Sequence, residues 1–133
     1  MKNNTKKEKS VRMKIKTIIM NKWLKNPNKL VLRLSYFKSN KAVYLQAIND
    51  ISGITVASAS SLEKGFDKML KGKDVSACVG KNMATRLVEK LGSTFEVILD
   101  RGAHRYLSGT NIASLFNAFN STLHEITGGQ NNV

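Results

Sequence analysis

A chain of 133 residues can hold one domain with a real core but leaves little for a second, and its 41% hydrophobic content is near the globular average. Lys and Arg number 22 against 9 Asp and Glu, a net charge of +13, and so basic a chain calls for a polyanionic partner because neutralising phosphates releases condensed counterions. The one cysteine, Cys78, excludes an intrachain disulfide, and no run approaches the roughly 18 apolar residues of a membrane-spanning helix.

The charge is unevenly placed. Residues 1–41 carry thirteen basic residues and a single acid, Glu8, for a net +12, whereas residues 42–133 carry nine bases and eight acids, for a net +1. The expected organisation is a basic N-terminal arm over residues 1–28, a globular domain over 29–126 and a loose tail over 127–133. A membrane-surface arm would need a cleaner division into apolar and polar faces. A secretory signal would need an apolar segment that Lys14, Lys16 and Lys22 interrupt. A soluble, intracellular chain is therefore expected.

Residues 1–9 lack apolar anchors and are expected to be disordered when free. From Ser10, read as an N-cap, Val11, Ile15, Ile18 and Ile19 recur at helical spacing until Asn26-Pro27-Asn28 stops the helix. Residues 29–37 alternate Leu30, Leu32 and Leu34 against Val31, Arg33 and Ser35. After a polar turn at Lys38-Ser39-Asn40-Lys41, residues 42–49 alternate Val43, Leu45 and Ala47 against Tyr44, Gln46 and Ile48. A second turn at residues 50–53 leads into a third strand over 54–60, which makes an antiparallel meander. Residues 62–73 read as irregular. Val75, Cys78, Val79, Met83, Leu87 and Leu91 then form a helical stripe, with Asp74 as its N-cap and Gly92 as its close. Residues 94–99 form a fourth strand and 100–109 a polar loop. Ile112, Leu115, Phe116, Phe119 and Leu123 fall on one face of a last helix. The order β-β-β-α-β-α predicts an α/β domain: a mixed four-stranded sheet with helices packed on it and a basic N-terminal arm.

Residues for chemistry are scarce. Cys78 lies on the apolar stripe and reads as a buried, inert thiol. His104 and His124 are twenty residues apart with no second cysteine, so no zinc site is expected, and Gly72-Lys73-Asp74 lacks the Ser or Thr of a phosphate loop. The strand order is of ribonuclease-H-like type, which raises a metal-dependent nuclease as the enzymatic alternative. Two-metal hydrolysis needs several converging carboxylates. The first strand has none, and Asp50 and Asp100 merely close the second and fourth strands, so Asp100 reads as a loop cap or ion-pair partner. No catalysis, cofactor, metal or small-molecule substrate is expected.

A binder remains. Lys38, Ser39, Asn40 and Lys41 put two cations and two small hydrogen-bonding side chains at a hairpin tip, beside strands carrying Arg33, Tyr44 and Gln46. The loop Asp100-Arg101-Gly102-Ala103-His104-Arg105-Tyr106 combines Arg, His and Tyr, which pair with phosphate or stack on unpaired bases. With the arm, these favour an RNA surface, and a non-specific basic RNA adaptor is the second alternative.

The run Arg33-Leu34-Ser35-Tyr36-Phe37-Lys38-Ser39-Asn40-Lys41-Ala42-Val43-Tyr44-Leu45-Gln46-Ala47-Ile48 resembles the hairpin of bacterial large-ribosomal-subunit protein eighteen, a 5S-rRNA-binding family with a sheet of translational-machinery type. Thr55-Val56-Ala57-Ser58-Ala59-Ser60-Ser61-Leu62-Glu63, Gly72-Lys73-Asp74 through Val79-Gly80-Lys81, and Val97-Ile98-Leu99-Asp100-Arg101-Gly102 are similar to its later segments, in order. The resemblance covers residues 10–123. It implies a large-subunit scaffold that attaches 5S rRNA, in a cytoplasmic ribosome or, as the alternative, an organellar one, with 23S rRNA and the neighbouring 5S-binding ribosomal proteins as further partners and no membrane. The family's RNA contacts fall on Arg12, Lys14 and Lys16 in the arm, on Lys38, Ser39, Asn40 and Lys41, on Tyr44 and Gln46, and on Arg101 and Tyr106. The residues themselves add Lys22, Arg33, His104 and Arg105 as candidates. The family's Tyr-His-Gly-Arg-Val is absent, since Tyr106 is followed by Leu107-Ser108-Gly109-Thr110-Asn111.

Overall fold

A computed structural model describes the backbone of residues 2–102 and 110–128, and the side chains of residues 10–102 and 110–128. The three alternating runs form β1 (Leu30–Lys38), β2 (Val43–Asn49) and β3 (Ile54–Ser60), an antiparallel meander. The fourth strand, β4 (Phe95–Asp100), lies parallel to β1, which requires a crossover connection. Helix α2 (Lys73–Leu91) supplies that crossover, and α3 (Asn111–Thr127) follows β4. The sheet order is β3-β2-β1-β4, the mixed α/β arrangement that the element order predicts.

Strand periodicity divides the sheet into two faces. On one, Leu32, Leu34, Tyr36, Val43, Leu45, Ala47, Ala57, Ala59, Phe95 and Val97 are buried against α2 and α3. Helix α2 contributes Val79, Met83 and Leu87, and α3 contributes Ile112, Leu115, Phe119 and Leu123. The two helices approach closely at Gly80, where a Cβ would overlap the Leu115 carbonyl oxygen.

The opposite face is partly covered by α1 (Lys2–Lys25). Ile15 and Ile19, one turn apart, are buried with Val31 of β1, and Val11 and Ile98 pack beside them. Lys22 Nζ donates to Glu96 Oε1 at 3.1 Å, and Lys29 Nζ pairs with Glu96 Oε2 at 2.9 Å. Burial opposes the Glu96 charge, but hydrogen bonds from Lys29 and Lys22 outweigh it and hold the carboxyl below the usual carboxylate range. The basic arm is thus in part a docked layer of the domain.

Local expectations differ from the structure in four places. The first helix begins at Lys2 and runs through Ser10, so Ser10 is no cap. No Pro or Gly interrupts residues 2–25, and extending a helix costs far less than nucleating one. At α2 the N-cap is Gly72, at φ +60, and Asp74 lies inside the first turn without capping by its side chain. A left-handed backbone position suits Gly because it has no Cβ to clash. Cys78 is only half-buried, and Ser76 takes the fully buried place on that face. Helix α3 continues to Thr127 and is closed by Gly128, so the start of the expected loose tail is helical.

Candidate nucleic-acid interface

The sheet face opposite α2 and α3 has three zones along the strands. At the start of β1, α1 covers Val31 and Ile98. In the middle, Arg33 fills the face and is itself only 6% exposed. Its Nε and Nη2 donate to Asp50 Oδ2 and Oδ1 at 2.8 and 3.1 Å, and its Nη1 donates to Asp100 Oδ2 at 2.9 Å. Burial works against the guanidinium charge, yet the hydrogen bonds to Asp50 and Asp100 prevail and raise its proton affinity. Arg33, a sequence candidate for RNA contact, is thus engaged within the sheet face. Its fork is spent on two buried carboxylates, and the structure brings them within reach only through strand pairing.

The third zone is open. Paired across β1 and β2 are Ser35 with Gln46 and Phe37 with Tyr44, and β3 adds Ser58 opposite Gln46 and Ser60 opposite Tyr44. Gln46 and Ser58 are exposed, and Tyr44 is half-buried. Phe37 leaves 59% of its surface open although it lies in a strand. The Phe37 and Tyr44 ring centroids are 5.7 Å apart with planes at 39°. Phe37, Ser35 and Ser58 were not among the sequence candidates. Extending the alternation of β1 two residues further would have placed Phe37 on the face of Arg33 and Ser35.

The hairpin tip adjoins this zone. Ser39 N–H donates to the Ala42 carbonyl at 2.9 Å, and the Ser39 hydroxyl accepts from Ala42 N–H at 3.2 Å. Ser39 thereby shapes the turn, while Lys38, Asn40 and Lys41 remain exposed. The tip overhangs a cleft of about 210 Å³ that also touches Gly72, Val75 and Asn111 at the starts of α2 and α3.

The remaining candidates are dispersed. Arg12, Lys14 and Lys16 are exposed on α1, and Lys22 is engaged with Glu96. Arg101 is half-buried just after β4, where Asp100 Oδ1 accepts Gly102 N–H at 3.0 Å. Asp100 is both loop cap and ion-pair partner. His104, Arg105 and Tyr106 lie outside the described residues. Among the described residues no three His, Cys, Asp or Glu side chains converge as a metal site would require, and no helix is long and apolar enough to cross a membrane.

A family model described as ribosomal L18 of archaea, bacteria, mitochondria and chloroplast matches residues 2–120. The chain belongs to the ribosomal L18 family. The large ribosomal subunit protein uL18 of Clostridium tetani is 45% identical over 74 residues, which are 56% of this chain and 60% of that protein. The uL18 of Bradyrhizobium diazoefficiens is 48% identical over 77 residues, 56% of this chain and 62% of its own length. That of Wolbachia sp. subsp. Drosophila simulans is 43% identical over 88 residues, covering 64% and 68%. The aligned stretches thus span about three fifths of the first two relatives. In this L18-family chain, the exposed hairpin tip and the open zone of the sheet both lie within the matched residues.

Proposed function

We propose that this chain is a non-catalytic structural constituent of the large ribosomal subunit, one that binds 5S rRNA and helps attach it to 23S rRNA beside the other 5S-binding proteins. Membership of the ribosomal L18 family supports the assignment to the large subunit. The observation that carries RNA binding is the open zone of the sheet, where an uncovered aromatic and a free amide adjoin the lysines of the hairpin tip. Such a surface offers phosphate attraction and base contacts together, which suits RNA with unpaired nucleotides. The contacts in this reading are Arg12, Lys14 and Lys16 on α1, Lys38, Asn40 and Lys41 at the tip, Tyr44 and Gln46 on β2, and Arg101, His104, Arg105 and Tyr106 in the loop. Two of the three arm cations and both tip cations are Lys, which gives attraction without bidentate geometry, so the arm supplies affinity more than specificity.

The test is co-sedimentation. In cell extract resolved on a sucrose gradient, the chain should travel with large subunits and 5S rRNA, and purified chain should bind 5S rRNA directly. Protein that stays at the top of the gradient and fails to bind 5S rRNA overturns the reading.

A further inference from the structure

We infer that the outer edge of β3 is a pairing site for the β3 of a second copy of this chain, held shut in the free protein by a clasp of Arg86, Lys90 and Glu63. This goes beyond the RNA-binding reading and does not depend on it.

The sheet order leaves β3 at one edge, hydrogen-bonded to β2 on its inner side. An edge strand offers its outward N–H and C=O groups to any other strand. Their direction follows from the ladder. Ser61 N–H donates to the Val43 carbonyl at 3.0 Å, so the alternation of an antiparallel pair turns the backbone groups of Ser58 and Ser60 away from β2. The strand itself, Ile54-Thr55-Val56-Ala57-Ser58-Ala59-Ser60, carries no charge, Pro or Gly, and its first three residues are β-branched. Uncharged segments of this composition pair readily with their own copies, because no like charge keeps the two edges apart.

Protection comes from elsewhere in the chain. Arg86 and Lys90 lie one turn apart on α2 and reach over the edge. Lys90 Nζ donates to the Val56 carbonyl at 2.7 Å, and Arg86 Nη1 donates to the Ser58 carbonyl at 2.6 Å. Glu63 Oε2 accepts the Ser60 N–H at 3.2 Å. The clasp is braced from within, since Arg86 Nη1 and Nη2 donate to Glu63 Oε2 and Oε1 at 2.7 and 2.6 Å. Every second residue from Val56 to Ser60 thus has an edge group engaged by a side chain. The pairing also slips here: Ala57 stands opposite Ala47 and Thr55 opposite Ile48, which leaves Val56 as the extra residue of a bulge. Bulges and charged side chains are both means by which sheets refuse a further strand. A pair that served stability alone would call only for Arg86 and Glu63. The bonds from Lys90 and from Arg86 to main-chain carbonyls are directed at the edge.

The experiment uses the full chain without RNA, an Arg86→Ala/Lys90→Ala variant, and a Lys68→Ala/Lys71→Ala control that loses the same charge at exposed positions outside the edge. Circular dichroism establishes that each is folded. Lys90→Ala alone, at an exposed position, repeats the test on the Val56 carbonyl while leaving the Arg86–Glu63 pair intact. Sedimentation velocity should show the parent and the control as monomers. The unclasped variant should self-associate at least about tenfold more tightly than the parent, with Lys90→Ala in between, since each charged cap removed frees a strong acceptor. Peptide-level hydrogen exchange should slow across residues 54–60 in the associated form, as the outward amides gain partners. Folded variants that stay monomeric overturn the clasp, as does a parent that already associates through this edge. Association without added protection over 54–60, or equal association of the control, assigns the effect to lost charge and overturns it too.

Discussion

Arg33 Nη1 donates to Asp100 Oδ2 at 2.9 Å, tying the middle of β1 to the last residue of β4, while the rest of its guanidinium grips Asp50 at the end of the first hairpin. All three side chains are nearly sealed from water, at 7–9% exposure. Arg33→Ala strands two buried carboxylates and should destabilise the fold by about 3–5 kcal/mol. Arg33→Lys should recover only part of this, because an ammonium cannot reproduce the bidentate fork. Urea denaturation measures both, and an Arg33→Ala variant as stable as the parent would contradict the assignment.

The same triad bears on catalysis. Asp50 and Asp100 are the strand-end acids that a metal-dependent nuclease would have to use, and each is already engaged in an ion pair with Arg33. Incubation with magnesium or manganese should therefore leave RNA and RNA–DNA hybrids intact. Cleavage that needs metal and disappears in Asp100→Asn would establish the enzymatic alternative.

For the arm, the docking of Ile15 and Ile19 decides which variant is informative. Deleting residues 1–26 would uncover Val31 and Ile98 and mix loss of fold with loss of charge. Replacing exposed Arg12, Lys14 and Lys16 together by Ala keeps the apolar packing. The slope of log K against log salt for 5S rRNA should then fall by about 0.7–0.9 for each phosphate left unneutralised. An unchanged slope would mean that these cations do not touch phosphate.

Docking of α1 should also respond to acid. Glu96 is held below its ordinary value of 4.5 in the folded chain. Its contribution is therefore complete above the unfolded value and is lost as pH falls through the lower, folded one. Both lysines are substantially exposed, at 38% and 46%, so the pair contributes no more than about 1 kcal/mol. Trp23, the only tryptophan, shares an apolar pocket with Ile19, Val31 and Ile51 and reports on the helix. Its emission should change in that acid range in the parent, and the step should be absent in Glu96→Gln.

Gly80 tests the helix layer. A Cβ there would meet the backbone oxygen of Leu115, which no side-chain rotation relieves. Gly80→Ala should cost about 1–3 kcal/mol although Ala favours helix, because the overlap outweighs propensity. Thermal unfolding would detect it, and a stabilised Gly80→Ala would show that the helices can move apart freely.

Most element positions were legible in the residues because their signals are local. The alternation of Leu30, Leu32 and Leu34 marks β1, and the stripe of Val79, Met83 and Leu87 marks α2. Gly92 and Pro27 mark stops for the physical reason that each disfavours helix continuation. The hairpin cations were legible too, since a polar turn between two alternating runs has few places to hide them. Phe37 was missed because an aromatic at the end of an apolar run looks like core until its face is counted.

By itself the sequence determined the order of elements, the division of charge and the exposed lysines of the turn, because each depends on residues within a few positions of one another. The tertiary structure alone decided that Arg33 is an internal tie, since its carboxylates lie 17 and 67 residues away and meet it only through the pairing of β1 with β2 and β4. It likewise decided that part of the basic arm is a packed layer, because the docking of Ile15 and Ile19 needs Val31 and Ile98 on the same face of neighbouring strands. Burial and charge pairing between distant residues are set by strand register, and no local pattern encodes which partner a side chain will meet.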